Sequence, residues 1–524
     1  ADLYRLSGQD CDLGWILRSR AEKEPNKTFI RMGYETFSFA ETFSLANNIA
    51  RGLRKLGVSS DDYVAIMLPN CCEYILGWFG VILSNAAIVP INPQYKGFLL
   101  GSPLRDTKAK GLIIHRNLFD AIPTLEPDVL KQLNWIAVVG GTKDLAPLGN
   151  FNIFDFDELK IEGSENFENQ VDYRKIHCVS YTSGTTGPSK GVMLSNKQFF
   201  SSACVFLRAV AMTHQDILFT PLPLFHGLAS RLGVLPSLIV GAEVVISPRF
   251  SGTNFWKDAT EAKATIAHTI FSIPPILKSQ QPSPQDTAHC LRCMYNAHFD
   301  PEFEERFKVR LVEAYGMTET GLCVFTDYPN RRPGSAGIAH EDFEIQLVDN
   351  FDNAVDDGAP GEIVIRPKKP YLMMQGYIDK PEATVAAWRN LWFHTGDIAK
   401  RDEDGFFYFI DRVKDRIRRR GENISSWDIE NFVNYHPSIA ESVALPHPAP
   451  EGEDDIWLVG VVKPNEDLSP LELFNWLKKR MPKFMLPRYI EFLDELPRNP
   501  INKVEKYKLI QNGLSLNAWE NNGK

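Results

Sequence analysis

The sequence predicts an α/β protein: a large N-terminal domain of parallel-rich α/β subdomains with a small antiparallel β subdomain, followed by a small, mobile α+β C-terminal lid. Three observations predict it. Strand-like and helix-like runs alternate over most of the chain up to Asp411, the spacing shortens to hairpin-like strands between 342 and 367, and a run of alternating charge after Asp411 precedes a further set of strands and helices. A βαβ rhythm implies parallel strands covered by helices, and closely spaced strands imply antiparallel pairing.

In chain order, residues 62–67 read as a strand, 73–83 as a helix and 86–91 as a strand, with short β-branched runs at 111–115 and 135–139. The apolar stretch 74–91 is interrupted by Ser84, Asn85 and Pro90. A buried helix running into a buried strand accounts for it, since a membrane span needs about 20 mostly apolar residues. Residues 342–348 and 361–367 read as paired strands, 427–436 as an amphipathic helix, 442–445 and 457–463 as strands, and 471–479 as a helix. A chain of 524 residues is too long for one ordinary core. The boundary is expected near 411–415, giving domains 1–411 and 412–524.

Composition excludes several classes. With 44% apolar and 23% charged residues the chain is globular, and a formal net charge of -9 argues against nucleic acid as a partner. Eight cysteines are scattered, some within apolar runs such as Cys178 and Cys204, which fits a reducing compartment. The opening ADLYRLSGQD has neither a basic n-region nor an apolar h-region. The expected location is cytoplasmic, with no transmembrane segment.

The sharpest motif is residues 181–195, YTSGTTGPSKGVMLS, after a strand-like run at 177–180. Gly184, Gly187 and Gly191 permit turns that a Cβ would block, so backbone N–H groups can approach an anion. Thr182, Ser183, Thr185 and Thr186 offer hydroxyl donors, and Lys190 adds a mobile positive charge. Composition alone also allows a flexible surface loop. It is not a Walker loop, because Lys190 and Gly191 are followed by Val192.

This segment resembles the signature of the adenylate-forming superfamily, which includes acyl- and aryl-CoA synthetases, luciferases and peptide-synthetase adenylation domains. The usual form is TSGTTGxPKG; here Pro188 and Ser189 are exchanged, with lysine and glycine in register. Further motifs follow in the family's order. Residues 315–320, YGMTET, resemble the nucleotide-binding motif. The resemblance implies that Tyr315 stacks on adenine beside Gly316 and Met317, Thr318 meets the α-phosphate, and Glu319, with Thr185, holds Mg²⁺. Residues 394–397, HTGD, resemble the segment whose aspartate, here Asp397, binds both ribose hydroxyls. Residues 411–415, DRVKD, resemble the domain hinge, implying ribose contact by Arg412 and a pivot at Lys414. The cationic run Arg416, Arg418, Arg419 and Arg420 reads either as a solvated strand face or as contact with CoA phosphates, and Gly421 matches a glycine lining the pantetheine tunnel. Near the end, LPRNPINKVEKYKL places Lys503 where the family has the lysine that bridges carboxylate and α-phosphate.

The pattern departs from the family where a small-residue loop normally flanks adenine and shapes the acyl pocket. This chain reads YNAHFD over 295–300. Ala297 falls on the nucleotide side, while Asn296 and the bulky His298 and Phe299 fall on the acyl side. A similar departure marks the carnitine- and betaine-type CoA ligases, and the bulk suggests a short to medium, polar acid, carrying a hydroxyl or a quaternary ammonium; the alternative is that both side chains point into the core. Phe225 and His226 in PLPLFH match an aromatic–histidine pair beside the acyl pocket; a core histidine is the alternative. His289, Cys290, Cys293 and His298 do not read as a zinc site, because a strand would turn the two cysteines to opposite faces.

The implied reaction activates a small carboxylic acid with Mg·ATP to acyl-AMP and pyrophosphate, then transfers it to coenzyme A. Alternatives are loading of a carrier-protein thiol, a luciferase-like oxygenase use, and a degenerate adenylate-binding protein.

Overall fold

The computed structural model describes residues 11–145, 152–164, 167, 172–182, 189–270, 273–295, 299–328, 330–349, 351–412, 416–419, 422–449, 453–497, 504 and 506–521, the side chains at 411, 412, 416, 423, 425, 427, 431 and 507 excepted. The chain divides into two compact units. The larger comprises residues 1–93, 98–181 and 191–411, and the smaller comprises 94–97, 182–190 and 412–524.

Two seven-stranded sheets build the larger unit. One runs Asn152–Asp155, Trp135–Val139, Gly111–His115, Tyr63–Met67, Ala87–Pro90, Ile176–Thr182 and Lys190–Ser195 from edge to edge. Its pairs from the first of these strands to Ile176–Thr182 are parallel. The other runs Arg310–Val312, Cys293–Tyr295, Ile266–His268, Ile217–Thr220, Glu243–Ile246, Thr28–Met32 and Glu35–Ser38, parallel until its closing hairpin. Strands covered on both faces need apolar side chains in both directions. Val64, Ala65, Ile66 and Met67 are all buried.

The apolar stretch at 74–91 is the helix Cys72–Leu83 followed by the strand Ala87–Pro90. The helix packs closely against Phe39–Lys55 because Gly80 has no side chain; a Cβ there would lie 2.4 Å from Ile49 Cγ2. A Ser38–Glu41 capping box starts the partner helix. No helix among the described residues is long and apolar enough to cross a membrane.

The expected hairpin is the antiparallel pair Phe343–Val348 and Gly361–Pro367, in a five-stranded sheet that also holds Trp392–Arg401 and Phe407–Arg412. The smaller unit has the hairpin Arg416–Arg419/Glu422–Ser425 and a four-stranded sheet of Ile439–Pro448, Asp454–Val462, Tyr489–Phe492 and Trp519–Glu520. Val443, Leu445, Trp457, Val459, Leu496 and Leu509 form a core of its own.

Two imidazoles are locked neutral in the larger unit. Trp78 Nε1 donates to His177 Nε2 at 2.9 Å, which leaves the ring proton on Nδ1 to donate to Asn196 Oδ1 at 2.8 Å. Burial lowers His177 from 6.5 to about 4 and His268 from 6.5 to about 3. Between these values and 6.5 the unfolded chain binds protons that the folded chain refuses. Stability is therefore full above pH 6.5 and falls as pH drops through that window. Urea midpoints measured from pH 7 to 5 should decline as these two imidazoles contribute up to about two protons to the uptake on unfolding, offset below about pH 6 by the buried Asp12 carboxyl, which is raised to about 6; a flat profile between pH 7 and 6 would contradict the neutral burial.

Candidate active site

The strand Ile176–Thr182 delivers the phosphate-type loop and Lys190–Ser195 carries the chain away from it. Positions 183–188 lie outside the described residues, so of the phosphate-binding candidates half-buried Thr182 and Lys190 are described. The exit is fixed tightly. A Cβ on Gly191 would lie 2.7–2.9 Å from Ile378, Tyr181 and Val179. Ile378 N donates to Gly191 O at 2.8 Å, Met193 N to Gly376 O at 3.0 Å, and Val192 bridges Tyr377.

That bridge carries Tyr377 to the nucleotide motif, where its hydroxyl donates to Glu319 Oε1 at 3.0 Å. Glu319 is 5% exposed, so a residue type that usually lies at the surface is held inside. The turn bearing it is braced by Gln198, which is fully buried and donates through Nε2 to Thr318 O at 3.1 Å and Glu319 O at 3.0 Å. Met374 N also donates to Glu319 O at 2.8 Å. The motif itself is the antiparallel pair Ala314–Met317 and Gly321–Phe325. Its register shifts between Tyr315 and Gly316, and only glycine fits at 316: a Cβ would lie 2.3 Å from Gly321 O.

Asp397 comes to the same place from the five-stranded sheet. It is 1% exposed, and Tyr315 donates its hydroxyl to Asp397 Oδ2 at 2.8 Å. Burial and the neighbouring carboxylate push the Tyr315 phenol well up, so it stays a donor. Asp397 N donates to Thr395 Oγ1 at 3.1 Å, and Thr395 Oγ1 donates to Ile363 O at 2.7 Å. Gly396, at φ +72°, supplies the left-handed residue that the turn requires. The Tyr315 ring stacks on Phe409 with centroids 6.5 Å apart. Two motifs separated by 82 residues thus form one carboxylate-rich site.

On the expected acyl side, the rings of Phe225 and His226 lie 4.4 Å apart. Beyond them Ser230–Val234 is a π-helical turn, a widening that often marks function. Ser230 N and Oγ both donate to His226 O, at 3.2 and 3.0 Å. Phe299 is half-buried; its N donates to Glu313 Oε1 at 2.9 Å, and Arg331 lies over its ring with Cζ 5.5 Å from the centroid. Arg331 itself pairs with Glu304 at 2.6 Å.

The AMP-binding enzyme profile matches residues 17–378, and the AMP-binding enzyme C-terminal domain profile matches 428–503. This chain belongs to the AMP-binding enzyme family. A crotonobetaine/carnitine–CoA ligase of Salmonella heidelberg (strain SL476) is 30% identical over 483 residues, 90% of this chain and 93% of the relative. The solved o-succinylbenzoate CoA synthetase of Bacillus subtilis is 25% identical, with a TM-score of 0.80 over 95% of this chain and 98% of its own. A fatty acyl CoA synthetase of Mycobacterium tuberculosis shares the fold, at 24% identity and a TM-score of 0.66 over 97% of this chain and 99% of its own. The protein is an adenylate-forming acid–thiol ligase of the acyl-CoA synthetase type, and the α/β class read from the sequence holds.

In this AMP-binding enzyme, residues 315–319 lie on one strand and the turn after it, and Asp397 meets that strand at Tyr315. Ser183, Gly184, Thr185, Thr186, Gly187, Asn296, Ala297, His298, Lys414, Arg420, Gly421 and Lys503 lie outside the described residues, as does the Arg412 side chain. The strand expected to carry both cysteines is shorter than its sequence suggests. The strand is only Cys293–Tyr295, so Cys290 precedes it, exposed, while Cys293 is buried. His289 is engaged through both nitrogens: Leu291 N donates to its Nδ1 at 3.1 Å and its Nε2 donates to Phe307 O at 3.1 Å. Among the described residues no three His, Cys, Asp or Glu side chains gather to hold a metal. Within the cationic run, Arg419 pairs with Asp455 at 3.2 Å, a carboxylate also bound by Arg488 at 2.6 Å. Its charge therefore serves the smaller unit's own structure.

Sequence reading missed Gln198 and Tyr377, which carry no motif of their own. It also missed Arg231. The available signal there was one arginine within the apolar run LASRLGVLPSLIV.

Proposed function

We propose that the enzyme works as a two-step ligase using the residues of the motifs in separate roles. The acid's carboxylate oxygen attacks the α-phosphorus of ATP, the bond to the β-phosphate breaks, and pyrophosphate leaves. The CoA thiol, losing its proton, then attacks the acyl carbon, and AMP departs with the C–O electron pair. Thr182, Ser183, Thr185, Thr186, Lys190 and the backbone at Gly184 and Gly187 hold the β- and γ-phosphates. Tyr315 lies against adenine beside Gly316, Met317 and Ala297. Asp397 and Arg412 hold the ribose, Thr318 meets the α-phosphate, and Lys503 bridges it to the acid. Arg420 and Gly421 line the path of CoA.

The observation that supports this reading is the Tyr315–Asp397 bond at 2.8 Å, which joins the adenine and ribose motifs in one place. An ionised carboxylate suits two hydroxyl donors. Glu319 fits magnesium, which commonly takes one or two protein carboxylates together with substrate phosphate oxygens. Once bound there, magnesium would offset phosphate charge. The acid at the Asn296, His298, Phe299 and His226 segments is short and polar. The enzyme acts in the cytoplasm, a setting that suits its eight free cysteines.

Two chemistries at one site require the lid domain, residues 412–524, to present Lys503 in one pose and Gly421 in another, with Lys414 as pivot. Lys414→Pro fixes φ at about −65°. This variant should keep acid-dependent exchange of pyrophosphate into ATP while losing CoA-dependent AMP release. Equal thioester formation in variant and wild type would remove the pivot from Lys414. Absence of acid-dependent exchange in the wild type would overturn the two-step reading.

A further inference from the structure

Among the described residues, one buried cation near His226 has no hydrogen-bonded anion. Arg231 is 7% exposed, and its Nε and Nη1 are fully buried without a hydrogen-bond partner among the described residues. Guanidinium stays charged in proteins, and taking a charge out of water is costly unless it is paired. Its surroundings supply little of that pairing. The Phe199 ring lies 5.9 Å from Cζ, a weak π contact. Cys178 and Tyr295 also lie within electrostatic reach, but burial pushes the thiol to about 12 and the phenol higher, so both are neutral near pH 7. Among the described residues the carboxylate in reach is Glu319, already bonded to Tyr377.

We propose that Arg231 receives a second anionic group, a carboxylate remote from the reacting one, on the acid that this enzyme activates. The inference rests on the acid-activation reading above and names the substrate class of that site. Arg231 stands on the π-helical turn Ser230–Val234, tied to His226 through the two bonds from Ser230 to the His226 carbonyl. At Gly227, the residue after His226, no side chain covers the guanidinium: a Cβ there would lie 3.5 Å from Nε. Tyr295 ends the strand leading into positions 296–299. The His226–Gly227 segment and the Tyr295 end of that strand therefore border the cation. Planar, bidentate recognition of carboxylate is what a guanidinium does best. The same charge repels a quaternary ammonium head, so the acid's polarity is anionic, opposite to the cationic head that the bulky 298–299 pair suggested.

The test compares matched acids in the full-length enzyme: diacids from succinate to suberate, their monomethyl esters, and the corresponding ω-trimethylammonio acids. Pyrophosphate release is the readout. One diacid should exceed its own monoester and ammonium counterpart by about 10²-fold in kcat/KM. Arg231→Met should collapse that ratio by a similar factor, through loss with the diacid rather than with the ester, and Arg231→Lys should restore part of it. Should Arg231→Met not fold, the wild-type ranking and the thermal shift given by each diacid against its ester decide alone. A monoester or ammonium acid used as well as the diacid would overturn the inference and leave acid activation intact. No pyrophosphate with any acid, including unbranched fatty and aromatic acids, would overturn the activation reading and this inference with it.

Discussion

Lys503→Ala is expected to lower acid-dependent pyrophosphate release about 10²–10³-fold, the usual effect of removing one preorganised charge from a developing transition state. The reason is charge. A carboxylate must approach an α-phosphate that is itself negative, and in the proposed reaction the lysine carries the positive charge that makes that approach tolerable. The second half-reaction does not bring those two anions together, so a supplied acyl-adenylate should still be converted to thioester. Lys506 donates to Glu430 Oε1 at 2.6 Å and to Ser426 Oγ at 2.9 Å, anchoring the start of the helix Lys506–Asn512 within the smaller unit. Equal collapse of both half-reactions in Lys503→Ala would show that the lysine is not confined to adenylation.

Glu319→Gln should also cost about 10²–10³-fold in pyrophosphate release, and it should move magnesium saturation to higher concentration. Glutamine keeps the size of the side chain and an oxygen that accepts from Tyr377, so the turn braced by Gln198 remains as it is. What it removes is the negative charge. Tyr377→Phe is the control, because it deletes the 3.0 Å hydrogen bond and leaves the carboxylate. A lost bond of that kind is worth about 1.5–3 kcal/mol when one partner is charged, and its effect should fall on stability and orientation more than on magnesium dependence. If Glu319→Gln kept wild-type magnesium saturation and rate, the buried carboxylate would be structural.

The fold was legible where periodicity is strong. The strands Gly111–His115 and Trp135–Val139 match the sequence reading at both ends, and Cys72–Leu83 begins one residue earlier than expected. The smaller unit was harder. Residues 442–445 and 457–463 read as separate short strands, yet Ile439–Pro448 and Asp454–Val462 form one long antiparallel ladder. Pro446 and Pro448 broke the apparent pattern, although pairing at 446–448 persists opposite 454–456. The strand holding Cys293 was overextended because LRC continues the apolar run without continuing the ladder.

Motifs announced the candidate site, but its supports were silent in the sequence. Glu319 could equally have been a solvated turn residue until its burial and its Tyr377 partner were seen. Gln198 lies on the helix Asn196–Ala209 and reaches Thr318 across 120 residues of sequence, a contact that no local pattern encodes. Arg231 illustrates the same limit. Its meaning comes from what fails to hydrogen-bond to it, and that is a property of packing alone.

The most direct test of the two-step ligase is the coenzyme dependence of its products. The purified enzyme is incubated with Mg·ATP and the acid library, with and without CoA, and pyrophosphate, AMP and acyl-CoA are followed together. The account predicts that an accepted acid releases at most about one pyrophosphate per enzyme rapidly without CoA, while the acyl-adenylate stays bound. With CoA it predicts continuous release of pyrophosphate, AMP and acyl-CoA in equal amounts. Steady AMP release that ignores CoA and responds to a carrier-protein thiol, or the absence of both products with every acid, would contradict it.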